Sequence, residues 1–134
     1  MAGLTTLKQG DAIAVMEYVC RAGPGDRPYA EQFGRHSLAY VRRGSFSCHC
    51  RGRQHELVAG SSLVGRPGDE YTCSHAHHEG GDECLSFHLA PELAESFGAG
   101  DAWRVGTLPP SAAMGVFGEL AQACADGRHH AGLD

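Results

Sequence analysis

Apolar and polar side chains alternate in short runs along most of the chain between residues 12 and 90, and turn-forming residues separate the runs. Ala12–Cys20 (AIAVMEYVC) is rich in β-branched and aromatic residues, and this predicts a strand; RAGPGDRPYAEQFGR after it predicts a loop. From His36 to His75 the pattern predicts several short strands, with breaks at Arg43-Gly44, Arg51-Gly52-Arg53, Ala59-Gly60 and Pro67-Gly68. CLSFHLA predicts another strand, with Leu85, Phe87 and Leu89 on one face and Cys84, Ser86 and His88 on the other. Short strands at this spacing imply a mainly β domain, an antiparallel barrel or sandwich.

The tail follows a different period. Pro91 to Phe97 predicts a short helical turn. Pro109-Pro110-Ser111 then opens a stretch in which Met114, Phe117, Leu120, Ala121 and Cys124 recur at helical intervals. The chain therefore divides into a β unit over 1–108 and a C-terminal α-helix within 109–134. The apolar stripe of that helix is free to pack on its own barrel or on a second copy.

With 134 residues the chain makes one domain, large enough for a core without disulfides. The net charge of −5 lacks the basic footprint that holds nucleic acid. The absence of a long apolar run argues against a membrane span, and the amino terminus does not read as a secretion signal, so a cytoplasmic location is expected. Six cysteines and nine histidines are the unusual counts. In a reducing compartment such cysteines are expected as thiols or metal ligands.

The densest cluster is YTCSHAHHEGGDECLSF. Strand parity puts Tyr71, Cys73, His75 and His77 on one face. If the flanking strands paired as a hairpin with its tip at His78–Gly81, His77 would oppose Asp82, His75 would oppose Cys84, and Cys73 would oppose Ser86. Cys73, His75, His77 and Cys84 would then converge. Cross-strand spacings of about 5 to 8 Å suit a tetrahedral ion with bonds of about 2.0 to 2.3 Å, which makes zinc the natural cofactor. Copper, nickel and iron share that ligand preference. His78 faces the other way, and His88 is a reserve ligand.

The remaining candidates read as structural. Cys48 and Cys50 share a face with Phe46, and packing suits them better than coordination; Cys20 and Cys124 read as core residues. Glu70, Glu79, Asp82 and Glu83 read as solvated tip residues. Arg42, Arg43, Arg51 and Arg53 read as a solvated edge. Neither a phosphate-binding loop nor a nucleophile elbow appears in the sequence, and no catalytic residue is assigned.

Tyr40-Val41-x-x-Gly44, Leu57-x-x-Gly60 and Pro67-Gly68-x-x-Tyr71 resemble the cupin-type sensing domain of AraC-type transcriptional regulators. Cys-x-His, Gly-Asp-x-Cys-Leu-Ser-Phe and the Pro-Glu turn that follow are similar to a subset of them, and the resemblance covers about residues 29 to 97. It implies a cupin-like barrel that senses a small-molecule or metal effector and works as a homodimer. It further implies that DNA is contacted only through a domain outside this chain, which would be a fragment of a longer regulator. Metal-binding cupins carry His-x-His and a Glu before the first barrel turn, with a further His after Pro-x-Gly. The corresponding positions here hold Glu31, Phe33, Ser37 and Tyr71, so the resemblance implies that this metal site is lost. Two alternatives stay open: a small cupin metalloenzyme, and a thiol redox sensor that uses Cys73 and Cys84.

Overall fold

The computed structural model describes residues 2–9, 11–20, 25, 30–75, 81–96, 103, 105–111, 118–120 and 122. Its strands are β1 (Ala2–Gln9), β2 (Ile13–Cys20), β3 (Ala30–Gln32), β4 (His36–Cys50), β5 (Arg53–Val58), β6 (Ser62–Gly65), β7 (Glu70–Ser74), β8 (Asp82–Leu89) and β9 (Thr107–Leu108); helix α1 (Pro91–Ser96) lies between β8 and β9. All pairings are antiparallel. One sheet runs β1-β2-β8-β4-β6-β9, and the other joins β3, β7, β4 and β5.

β4 belongs to both sheets. Its first part, His36 to Gly44, pairs with β8, and its last part, Ser45 to Cys50, pairs with β5 and with β7. The break expected at Arg43-Gly44 is instead a corner: the ladder shifts register between Val41 and Arg43 and then continues. Gly44 takes φ +82°, and a side chain there would run into the Gly81 carbonyl and Asp82. A glycine in the sequence signals a bend and a break equally well. β1 and β3 also form where turn residues or polar character hid them.

Alternation divides the first sheet into two buried faces. Val15, Tyr40, Leu85, Phe87 and Leu89 pack with Ala94 of α1 on the outer face. Val41, Phe46, Cys48, Leu57, Leu63 and Cys84 form the core between the sheets, with Tyr18, Phe33, Tyr71 and Cys73 against it. The expected division of β8 is observed, with Leu85, Phe87 and Leu89 outside and Cys84, Ser86 and His88 inside. Leu57 and Leu85 are fully buried, each contributing about 1.5 to 3 kcal/mol of apolar transfer.

Within the expected tail helix, residues 118–120 and 122 are described and helical. They dock on their own barrel: Gly118 lies against the Tyr40 ring, and both Glu119 carboxylate oxygens accept hydrogen bonds from Arg42 at 2.9 and 2.8 Å. The Gln122 amide donates to Glu17 at 3.3 Å. Leu120 of the expected apolar stripe is 42% exposed. Met114, Phe117, Ala121 and Cys124 lie outside the described residues.

Candidate functional site

The inward faces of both sheets leave a cavity of about 110 Å³ that opens partly to solvent. That is room for a small ring and less than the roughly 300 to 1,000 Å³ of typical ligand pockets. Phe33, Tyr71, Tyr18, Phe46 and Leu63 supply its apolar wall; Glu31, Ser37, Ser86 and His88 supply polar groups. Lys and Arg are missing among the described lining residues.

Phe33 is held tightly for a residue just past a short strand. Its N–H donates to the Asp69 carbonyl at 3.0 Å, and its own carbonyl accepts from Gly68 N–H at 2.9 Å. The bare backbone of Gly65 makes room for the ring, because a methyl there would overlap both Phe33 and Ser37. Phe33 and Tyr71 then stack with centroids 4.1 Å apart and planes at 21°. All four positions that the cupin pattern aligns with metal ligands, Glu31, Phe33, Ser37 and Tyr71, face this cavity. Two of them form an aromatic stack and one is a hydroxyl, so a single carboxylate remains as a strong ligand there.

A second group of side chains lines the same cavity. His75, just past β7, donates from Nε2 to Asp82 Oδ2 at 2.8 Å, with both residues buried. Cys20 Sγ lies 3.9 Å from His75 Nε2, and the Cys84 thiol lies 3.9 Å from Asp82 Oδ1. Ligand atoms of Cys20, His75 and Asp82 all fall within 4.8 Å of one another. The register explains the convergence: Cys20 and Asp82 are paired Cα partners across β2 and β8, and His75 reaches in from the other sheet.

The expected hairpin between the strands carrying Cys73 and Cys84 does not form. β7 pairs with β3 and β4, whereas β8 pairs with β2 and β4, so the two strands sit in different sheets. His75 and Cys84 do flank Asp82, but Cys73 is the register partner of Cys48, and their thiols are hydrogen-bonded. His77 lies outside the described residues. Sequence reasoning passed over Cys20, assigned to the core, and Asp82, assigned to a solvated tip. Asp82 shares strand parity with Cys84, and that was the one available signal.

Burial governs the charge states here. It pushes the Asp82 carboxyl above its ordinary value, while His75 beside it pulls the other way. Burial, with Asp82 and Cys20 nearby, pushes the Cys84 thiol up; the Cys48 contact and burial do the same to Cys73. Glu31 is raised by burial, and His88 is lowered by burial and then by Arg35. Among the described residues Cys20, Cys48, Cys50, Cys73 and Cys84 are thiols outside any disulfide. Of the expected solvated arginine edge, Arg43, Arg51 and Arg53 are exposed and Arg42 is half-buried; Arg42 pairs with Glu119, Arg43 with Glu83, and Arg51 with Asp69.

Two antiparallel sheets sharing a bent strand and closing around an inner cavity define a cupin. Solved structures agree on the fold. A cupin superfamily protein from Desulfitobacterium hafniense is similar at TM-score 0.53 and 14% identity, covering 66% of this chain and 77% of that one. The cupin domain of Schizosaccharomyces pombe Cnp3 is similar at TM-score 0.57 and 12% identity, covering 75% and 69%. DMSP lyase DddQ from Ruegeria pomeroyi is similar at TM-score 0.57 and 13% identity, covering 67% and 47%. No curated protein matches the chain. Residues 18–132 match the family model of AraC-like ligand binding domains, and the chain belongs to that family. No described helix is long and apolar enough to cross a membrane.

Proposed function

We propose that this chain is the effector-sensing domain of an AraC-type transcriptional regulator, and that the cavity between its sheets receives a flat small molecule against Phe33 and Tyr71. The observation that carries this reading is the aromatic stack standing where a catalytic cupin would hold its metal. Such a wall binds and orients a ring. In this reading the domain senses its ligand and has no catalytic role. Glu31 lines the cavity without a described Lys or Arg, which disfavours an anionic effector and favours a neutral or cationic one.

Binding acts by linkage. An effector that prefers one arrangement of the barrel and the tail helix over another shifts their balance, by a coupling free energy of typically 1 to 3 kcal/mol. The docking of Gly118, Glu119 and Gln122 on Tyr40, Arg42 and Glu17 gives the first sheet a direct route to that helix. In the same reading the protein is cytoplasmic and acts as a homodimer, and DNA is reached through a domain outside this chain; light scattering checks the dimer.

The test is calorimetric titration of the protein with paired flat probes, aromatic amines and the matching aromatic carboxylates. Amines are expected to bind more tightly than carboxylates, and Ala39→Trp, which fills the cavity, is expected to abolish binding. Equal binding by the filled variant, or a preference for carboxylates, contradicts the reading.

A further inference from the structure

We propose that Cys20, His75 and Asp82, with Cys84 as the fourth donor, form a site for one zinc-type divalent cation that ties the two sheets together beside the cavity. Thiolate, imidazole and carboxylate are the donor types zinc takes, and copper, nickel and iron(II) share the preference for sulfur and nitrogen. Cys20, His75 and Asp82 are buried at 8%, 7% and 5% exposure, and their ligand atoms already lie within 4.8 Å of one another. In a tetrahedral centre with bonds of about 2.0 to 2.3 Å, donor atoms stand about 3.3 to 3.8 Å apart. The Cys20 to His75 separation of 3.9 Å is close to that, and the 2.8 Å contact of His75 with Asp82 needs to open only slightly. Cys84, at 3.9 Å from Asp82 Oδ1, stands outside that group of three and has to move toward it to serve as the fourth donor.

Placement argues for a built site. Cys20 and Asp82 face each other across β2 and β8, Cys84 follows Asp82 on the same strand face, and His75 comes from the end of β7 in the other sheet. A cation there bridges segments distant in sequence, at the point where β4 bends from one sheet into the other. It also supplies positive charge to the buried Asp82, whose described side-chain partners are His75 and Cys84. The site lines the same cavity as the cupin metal positions Glu31, Phe33, Ser37 and Tyr71 but uses none of them. It shares only His75 and Cys84 with the set that sequence spacing suggests.

The experiment uses the whole chain, purified without chelator or nickel resin, then stripped and titrated with cobalt(II) and zinc(II). We expect one ion per chain, a thiolate-to-cobalt charge-transfer band, and displacement of cobalt by zinc. Cys20→Ser and Asp82→Asn should each weaken binding at least about tenfold and change the cobalt spectrum, whereas Cys73→Ser should leave both unchanged. Circular dichroism establishes that each variant is folded. Where one is not, alkylation of the wild type read by mass spectrometry replaces it: zinc should protect Cys20 and Cys84 and leave Cys73 as reactive as before. Wild-type affinity in a folded Cys20→Ser, Asp82→Asn double variant, loss of the ion in folded Cys73→Ser, failure of the wild type to bind, or protection of Cys73 in place of Cys20 overturns the proposal.

Discussion

Two regions of one cavity differ in how they are held together. Around Phe33 and Tyr71 the wall is apolar contact, a stack at 4.1 Å backed by the core between the sheets. Around His75 and Asp82 it is a directional cluster, with one strong hydrogen bond at 2.8 Å and two thiols 3.9 Å away. Tyr71 and His75 are four residues apart, about 13 Å along an extended chain, so the regions sit at different ends of one strand line. Apolar contact is spread over many atoms and degrades gradually when one is removed. A buried polar cluster fails as a unit, because each member left behind loses its partner. The aromatic region thus suits adjustable ligand contact, and the polar region suits fixing the geometry.

Removing Asp82 is the severest way to break that contrast. Asp82→Ala leaves a buried imidazole and a buried thiol without their acceptor, and a loss of about 3 kcal/mol is expected in urea unfolding with chelator present. A loss below about 1 kcal/mol would mean that the cluster is no more demanding than the apolar wall. Phe33→Ala should cost less, about 1 to 2 kcal/mol, because the ring is only partly buried. It should nevertheless weaken binding of flat amines at least about tenfold, and calorimetry separates the two effects. Gly65→Ala should weaken the same binding by displacing the Phe33 ring.

The titrating groups sharpen the comparison by their opposite signs. Burial raises Glu31 above its ordinary value of 4.5, so the fold favours its neutral form. That contribution is complete below about pH 4.5 and is lost as pH rises through the folded value, so Glu31→Gln should be the more stable protein at neutral pH. Glu31 is only half-buried, and solvent screening limits the gain to roughly a few tenths of a kcal/mol. Burial and Arg35 lower His88 below 6.5, so its contribution is present above that pH and is lost as pH falls through the folded value. Unfolding curves of Glu31→Gln and His88→Gln between pH 4 and 8 check both signs. The smallest effect is expected at the tail: Arg42→Ala removes a partly exposed ion pair and should cost about 0.5 kcal/mol or less, read by the shift in urea midpoint.

The same contrast explains what the sequence made legible. Period-two alternation depends on one strand at a time, so the two faces of β8 were readable from Leu85, Phe87 and Leu89 against Cys84, Ser86 and His88. The cupin pattern likewise grouped Glu31, Phe33, Ser37 and Tyr71 as the positions of one lost metal site, and all four face the cavity. The polar cluster was not readable, because it depends on which strands pair. The Gly80-Gly81 tip signals a tight turn but not the partner of β7, and Cys20 meets Asp82 only through a register between distant segments. Gly44 hid the corner of β4 for the same reason: its effect is decided by contacts with Gly81 and Asp82.

The account rests on the cavity being the effector site, with Phe33 and Tyr71 as its ligand-facing wall. Intermolecular nuclear Overhauser effects between a bound flat amine and assigned ring protons of the protein test this most directly. Contacts from the ligand to the Phe33 and Tyr71 rings are predicted, and they should disappear in Ala39→Trp. A ligand that binds with its contacts on the outer face, at Tyr40 or Trp103, and none to Phe33 or Tyr71 would contradict the account.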